Sequence, residues 1–210
     1  MSSAPHRTVR LAVLATFVFA AALLAGCGLL GGSSTQTITD PGNSYHFDVP
    51  ASWTTTVTSG MITIYGGKEM PSVDAAIDKE PWYFILSAKA SESDLATELT
   101  GLAEARAESR KWTKVTMGKP VATKLGNTKA YEMDLKATDE TKRSFEGKLL
   151  LARRGGIDVL IFGFTKPGAF KGSGYEDLKK DFFWLVGSDD EKTATQTAPP
   201  TKDVSKPTKK

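Results

Sequence analysis

The stretch YHFDVPASW, residues 45–53, decides how the rest of the chain is read. Tyr45, Phe47 and Val49 alternate with His46 and Asp48, the period of two that puts one set of side chains on each face of a β-strand. If Tyr45 and Phe47 see a core, His46 sees solvent. Pro50 fixes φ, and Trp53 behind it is expected to swing under the sheet edge as a packing anchor.

Strand signals continue on both sides. Thr37-Ile38-Thr39 precedes the turn Asp40-Pro41-Gly42-Asn43, and Thr54–Val57 with Met61–Tyr65 reads as a hairpin about Ser59-Gly60. Residues 66–81, with Gly66-Gly67, Pro71 and Pro81, read as a long loop before a buried-type strand at Trp82–Ala88. Ser91 or Ser93 then caps a helix ending near Arg110, with Leu95, Leu99, Leu102 and Ala103 on one face. A second set of strands is expected at 114–117, 121–125, 130–137, 143–153 and 157–165, joined by turns at Gly126-Asn127, Asp139–Thr141 and Gly155-Gly156. Tyr175, Leu178, Phe182 and Leu185 fall at helical spacing, widened by Phe183 and Val186, and predict a closing amphipathic helix. Hairpin-spaced strands in two groups, each followed by a helix, argue for an α+β domain: a largely antiparallel sheet flanked by helices in a layered sandwich.

The chain has 210 residues, with 27 Lys and Arg against 24 Asp and Glu. Removing residues 1–26 takes Arg7 and Arg10 and no acid, so the remainder is nearly neutral. Such a chain offers no polybasic surface, which sets nucleic acid aside as a partner. The single cysteine excludes a disulfide framework and any multi-cysteine metal site.

That cysteine has its own context. His6, Arg7 and Arg10 form a basic leader, and Leu11–Leu24 is apolar except for Thr16. As a helix the run would be about 21 Å long, short of the roughly 30 Å of a membrane core and suited to the apolar region of a signal peptide. Leu24-Ala25-Gly26-Cys27 closes it and looks like the bacterial lipobox, in which the thiol is acylated and the chain is cut before the cysteine. An uncleaved anchor would have to run through Gly32, where glycines crowd its end. The expected organisation is a lipoprotein signal peptide at 1–26, acylated Cys27 and a flexible tether at 27–36, a folded domain at 37–187, and a disordered polar tail at 188–210. Two or three acyl chains on Cys27 would hold the protein on the membrane almost permanently. The expected place is the outer leaflet of the cell membrane, or the outer membrane if the source has one.

The aromatic strand with its Pro50-Ala51-Ser52-Trp53 corner, the helix at 93–110, the run of hairpins and the closing Phe182-Phe183-Trp184-Leu185 resemble the PsbP-like family. This family takes in the photosystem II extrinsic subunit P and Ran-binding relatives. The resemblance covers about 37–187 and implies an α/β/α sandwich with an accessory or partner-binding role. The metal-binding and photosystem-contact residues of the plant members have no recognisable counterparts here.

The reactive residue types available point to a binding role. His46 is the only histidine left after residue 26, so any nucleophile–histidine reading would run through it alone. Asp189-Asp190-Glu191 lacks the spacing of a calcium loop, and Asp78 and Glu80 near Trp82 read as loop carboxylates rather than a glycosidase pair. No catalytic residue, cofactor or metal ligand is assigned. Trp53, Tyr65, Trp82, Tyr83, Phe84 and Trp112 lie at strand ends or beside loops, where they pack or line a groove. The expected function is a membrane-anchored, non-catalytic binding or accessory module with an envelope protein partner. The alternatives are a small-molecule or lipid binder, or a hydrolase.

Overall fold

The computed structural model describes residues 34–72 and 80–187. The leader, Leu24–Cys27, the centre of the 66–81 loop with Asp78, and the 188–210 tail with Asp189–Glu191 lie outside the described residues. Along the chain come β1 (Thr35–Thr39), β2 (Tyr45–Pro50), β3 (Thr54–Thr58), β4 (Met61–Tyr65), β5 (Trp82–Lys89) and α1 (Leu95–Ser109). Then follow β6 (Thr113–Met117), β7 (Val121–Leu125), β8 (Thr128–Thr138), β9 (Ser144–Arg154), β10 (Ile157–Thr165), α2 (Tyr175–Lys180) and β11 (Phe182–Trp184). β1 thus begins inside the stretch read as tether.

Eight strands make one sheet in the order β3-β4-β5-β10-β9-β8-β6, with β7 also paired to β8, and three make a second, β1-β2-β11. Every pairing is antiparallel, where the hairpin spacing predicts a largely antiparallel sheet. β5, β9 and β10 sit in the middle, and the apolar runs Trp82–Leu86, Leu149–Ala152 and Val159–Phe162 in them reflect cover on both faces.

The two faces build two cores. On one face Ile62, Ile64, Tyr83, Ile85, Val159 and Ile161 meet Tyr45, Phe47 and Val49 of the small sheet, together with Tyr175, Leu178 and Phe182. On the other, Trp82, Phe84, Met133, Leu149, Leu151, Phe162 and Phe164 face Leu99 and Ala103 of α1. The large sheet is therefore a middle layer. α1 lies on one side of it, and on the other the covering layer is mainly β1-β2-β11, with α2 only six residues long. The helix-flanked sandwich is corrected to that extent.

The correction originates in the closing segment. Phe182, Phe183 and Trp184 form a strand on β2 instead of extending the helix, with Phe182 opposite Phe47 and Trp184 opposite Tyr45. The Phe182 ring lies 4.7 Å from Tyr45 and 5.9 Å from Phe47, and Trp184 Nε1 donates to the Leu125 carbonyl at 3.1 Å. Phe183 points the other way and is 51% exposed. Ring pairing across β2 outweighs one further helical turn, in which Phe182 would share a face with Leu178.

Two smaller expectations are also corrected. The helix cap is Asp94, not Ser91 or Ser93: its Oδ1 accepts from Ala96 N at 2.9 Å and Thr97 N at 3.1 Å. The Ser91 hydroxyl instead bonds the Glu98 carboxylate. Leu99, Ala103 and Ala107 carry the buried stripe, whereas Leu102 is 36% exposed, one residue off that line.

Candidate functional site

Strand ends decide where the site forms. β4 ends at Tyr65, β5 begins at Trp82, β9 begins at Ser144 and β10 ends at Thr165, and their registers bring all four ends to one edge of the large sheet. The loop 66–81 leaves from this edge. α1 runs across the sheet and finishes there, and the turn between β8 and β9 rises beside it.

Between them is a cavity of about 150 Å³. Its floor follows from period-two geometry. Phe162 and Phe164 share a face of β10, Phe84 is the register partner of Phe162, and Phe145 joins from β9. The Phe162 and Phe164 centroids are 5.3 Å apart, with Phe145 at 5.9 Å from Phe164. Gly147, opposite Phe164 in register, makes that crowding possible: a Cβ there would stand 3.3 Å from Phe164 Cβ and 2.7 Å from the Gly163 carbonyl oxygen. Trp112 closes one wall, edge-on to Phe145 at 4.9 Å. It is held there by the turn after α1, in which Trp112 N donates to the Ala107 carbonyl at 2.9 Å.

The rim is charged. From the last turn of α1, the Arg106 guanidinium stands 5.8 Å above the Phe162 ring, and Arg110 follows one turn on. Burial, reinforced by the Arg110 charge, lowers the Arg106 pKa below the usual arginine value; the group stays cationic. The opposite rim is the turn 139–143. There the Asp139 carboxylate accepts from Thr141 N and Arg143 N at 2.9 Å each, and from Arg143 Nε at 3.0 Å. Burial tends to raise the Asp139 pKa, but the Arg143 backbone N–H, the Thr141 hydroxyl and the Arg143 guanidinium prevail and hold it below the usual aspartate value. The Arg143 guanidinium closes on Asp139 at 2.8 Å. This turn is braced, and its arginine already has a counter-ion.

The aromatic set expected from the sequence divides between the faces. Tyr65, Trp82, Phe84 and Trp112 lie on the cavity face, and of these Phe84 and Trp112 line the cavity itself. Trp82 sits next to it, its ring 5.9 Å from Phe84 and 6.4 Å from Phe164. Trp53 and Tyr83 go to the other face, stacked at 5.8 Å, where the Tyr83 hydroxyl donates to the Ser173 carbonyl at 2.8 Å. Trp53 is thus a packing residue, as its place after Pro50 suggests. His46 stacks on Phe183 at 5.0 Å on the outer face of the small sheet, away from the cavity. Glu80 is exposed. Among the described residues no group of three His, Cys, Asp or Glu could hold a metal ion, and no helix is long and apolar enough to cross a membrane. Sequence reasoning missed Arg106, Arg110, Asp139, Arg143, Phe145, Phe162 and Phe164. The readable signal was Phe162-Gly163-Phe164, two rings on one face of a strand with no side chain between them on the other.

No family model matches the chain, and no curated protein matches it by sequence. Solved structures do match. The solution structure of PsbP (CyanoP) from Synechocystis sp. PCC 6803 superposes with a TM-score of 0.53 at 10% identity, over 77% of this chain and 98% of that one. The Ran-binding protein Mog1p of Saccharomyces cerevisiae gives 0.52 at 11%, over 74% and 97%. LpqN of Mycobacterium tuberculosis, involved in cell envelope biogenesis, gives 0.51 at 11%, over 71% and 90%. The fold is PsbP-like. At such identities the likeness concerns the fold and carries no residue roles.

Proposed function

We propose that this protein is a lipid-anchored envelope lipoprotein whose PsbP-like domain binds a ligand or partner without catalysing a reaction. The observation that carries the binding role is the cavity. It has a floor of rings, a braced rim and uncompensated arginine charge, and its lining residues include no His, Ser or Cys. Its arginines and aromatic rings are residue types that dominate recognition surfaces. Anchoring is supported by the lipobox Leu24-Ala25-Gly26-Cys27 and the leader before it. An envelope setting and a protein partner are further supported by the fold shared with LpqN and Mog1p.

Two measurements test this reading. Metabolic labelling with an alkyne fatty acid should mark the wild-type protein and not Cys27→Ser, which should keep residues 1–26; an unlabelled wild type that retains its leader in the membrane would refute the lipid anchor. In a deletion strain, Thr141→Trp, which blocks the cavity mouth from an exposed rim position, should fail to complement although it folds and is anchored. Full complementation by Thr141→Trp would remove the cavity from the function.

A further inference from the structure

We propose that the cavity takes a small organic anion: an acid group carried on a flat aromatic ring, with the ring on the phenylalanine floor and the acid against Arg106. The inference rests on the cavity-binding reading above and adds the chemistry of the ligand.

Size limits the apolar part. A space of about 150 Å³ is what a single benzene fills in an apolar protein cavity, so it leaves no room for an acyl chain of membrane length. The walls favour a ring over a branched aliphatic group. Phe162, Phe164 and Trp112 present π-surfaces at mutual angles of 36° and 40°, so an inserted ring stacked on one face meets a second face at a tilt.

Charge defines the polar part. Five ionic side chains line the cavity. Arg143 is closed on Asp139 at 2.8 Å, and Glu140 pairs outward with Lys111 at 3.7 Å. Arg106 and Arg110 have no carboxylate at ion-pair distance among the described residues. Arg110 is exposed to solvent. Arg106 is half-buried over the Phe162 ring, which attracts a cation but accepts no conventional hydrogen bond in the guanidinium plane. A guanidinium carries five N–H donors in a fixed fork that matches a carboxylate or a phosphate. A ligand anion would supply the acceptor that the half-buried group lacks, and Arg110 would add to the attracting field. A neutral ring of the same shape would gain the floor and leave Arg106 unpartnered.

Isothermal titration of the full chain in phosphatidylcholine nanodiscs tests this with four titrants: benzoate, phenyl phosphate, benzamide and inorganic phosphate. The expected result is binding of benzoate and phenyl phosphate, weakened by added NaCl. Benzamide, which lacks the charged acceptor, and inorganic phosphate, which lacks the ring, should each bind about tenfold more weakly or worse, since either contribution is worth roughly a decade in Kd. Arg106→Gln should raise the Kd of both aromatic anions about tenfold, with Arg106→Lys recovering part of the loss. The exposed Arg110→Gln should weaken them by only about threefold, and this variant together with the salt series keeps the test decisive if Arg106→Gln does not fold. Benzamide binding as tightly as benzoate, with both lost in Thr141→Trp, would overturn the anion and leave the binding cavity standing. Inorganic phosphate matching phenyl phosphate would overturn the ring. No binding of any aromatic titrant would overturn the inference, while complementation by Thr141→Trp decides the cavity reading beneath it.

Discussion

Gly174 lies directly under the indole of Trp53: a Cβ on Gly174 would stand 2.6 Å from Trp53 Cη2. Gly174 is also the N-cap of α2, with φ at +82°, so a side chain there would meet both backbone strain and the ring. Trp53 in turn stacks on Tyr83 and joins the core under the small sheet. The corner after Pro50 and the start of α2 are therefore one packing unit.

Truncation should expose that unit. Trp53→Ala is expected to lower unfolding free energy by about 2–4 kcal/mol, below the full cost of a wholly buried tryptophan because its ring is only partly covered. Gly174→Ala should cost about 1–3 kcal/mol through strain and overlap. Urea denaturation checks both, and a loss below about 0.5 kcal/mol for Trp53→Ala, the range of ordinary surface changes, would free Trp53 for a surface role.

Arg153 ties the far end of α1 to the sheet. Its Nε donates to Asp158 Oδ1 at 2.6 Å, its Nη2 to Glu98 Oε2 at 2.8 Å and its Nη1 to the Ser93 carbonyl at 2.8 Å. Arg153→Met leaves the buried Asp158 without its cation and should cost about 2–4 kcal/mol. Arg153→Met combined with Asp158→Asn should cost less than Arg153→Met alone, because the second change removes the stranded charge. A double variant less stable than the single one would contradict this account.

Stability should depend on acid through the cavity rim. Asp139 has a folded-state pKa below the usual 3.8, so the folded state favours its ionised form. Its contribution is complete above the usual value and is lost as pH falls through the lowered one. Asp139→Asn is expected to cost about 1–2 kcal/mol at pH 7, a difference that narrows progressively below about pH 4. Thermal melts of both proteins from pH 7 to pH 3 read it directly; a gap that widens on acidification would reverse the sign.

His46 should be dispensable. It stacks on the exposed Phe183 on the outer face of the small sheet and touches nothing near the cavity. His46→Ala is expected to change stability by no more than about 0.5 kcal/mol and to complement a deletion strain. Failure to complement in a folded, anchored protein would reopen hydrolytic chemistry at that residue.

What the sequence determined by itself was local and periodic. Alternation in Tyr45–Val49 puts Tyr45 and Phe47 in the core and His46 outside, and the turn residues between consecutive runs make the hairpins β1-β2, β3-β4, β7-β8, β8-β9 and β9-β10. These features are legible because a strand's side-chain period and a turn's backbone needs are properties of neighbouring residues. Tertiary structure decided the rest. Tyr175, Leu178, Phe182 and Leu185 fit a helix of 3.6 residues per turn, while Phe182 and Trp184 equally fit a strand, and only the rings of Tyr45 and Phe47 across β2 settle the choice. The cavity was hidden for a deeper reason. Phe84, Arg106, Asp139 and Phe162 come from four separate segments, and no spacing along the chain encodes their meeting, because it is set by strand order and by the direction in which α1 crosses the sheet.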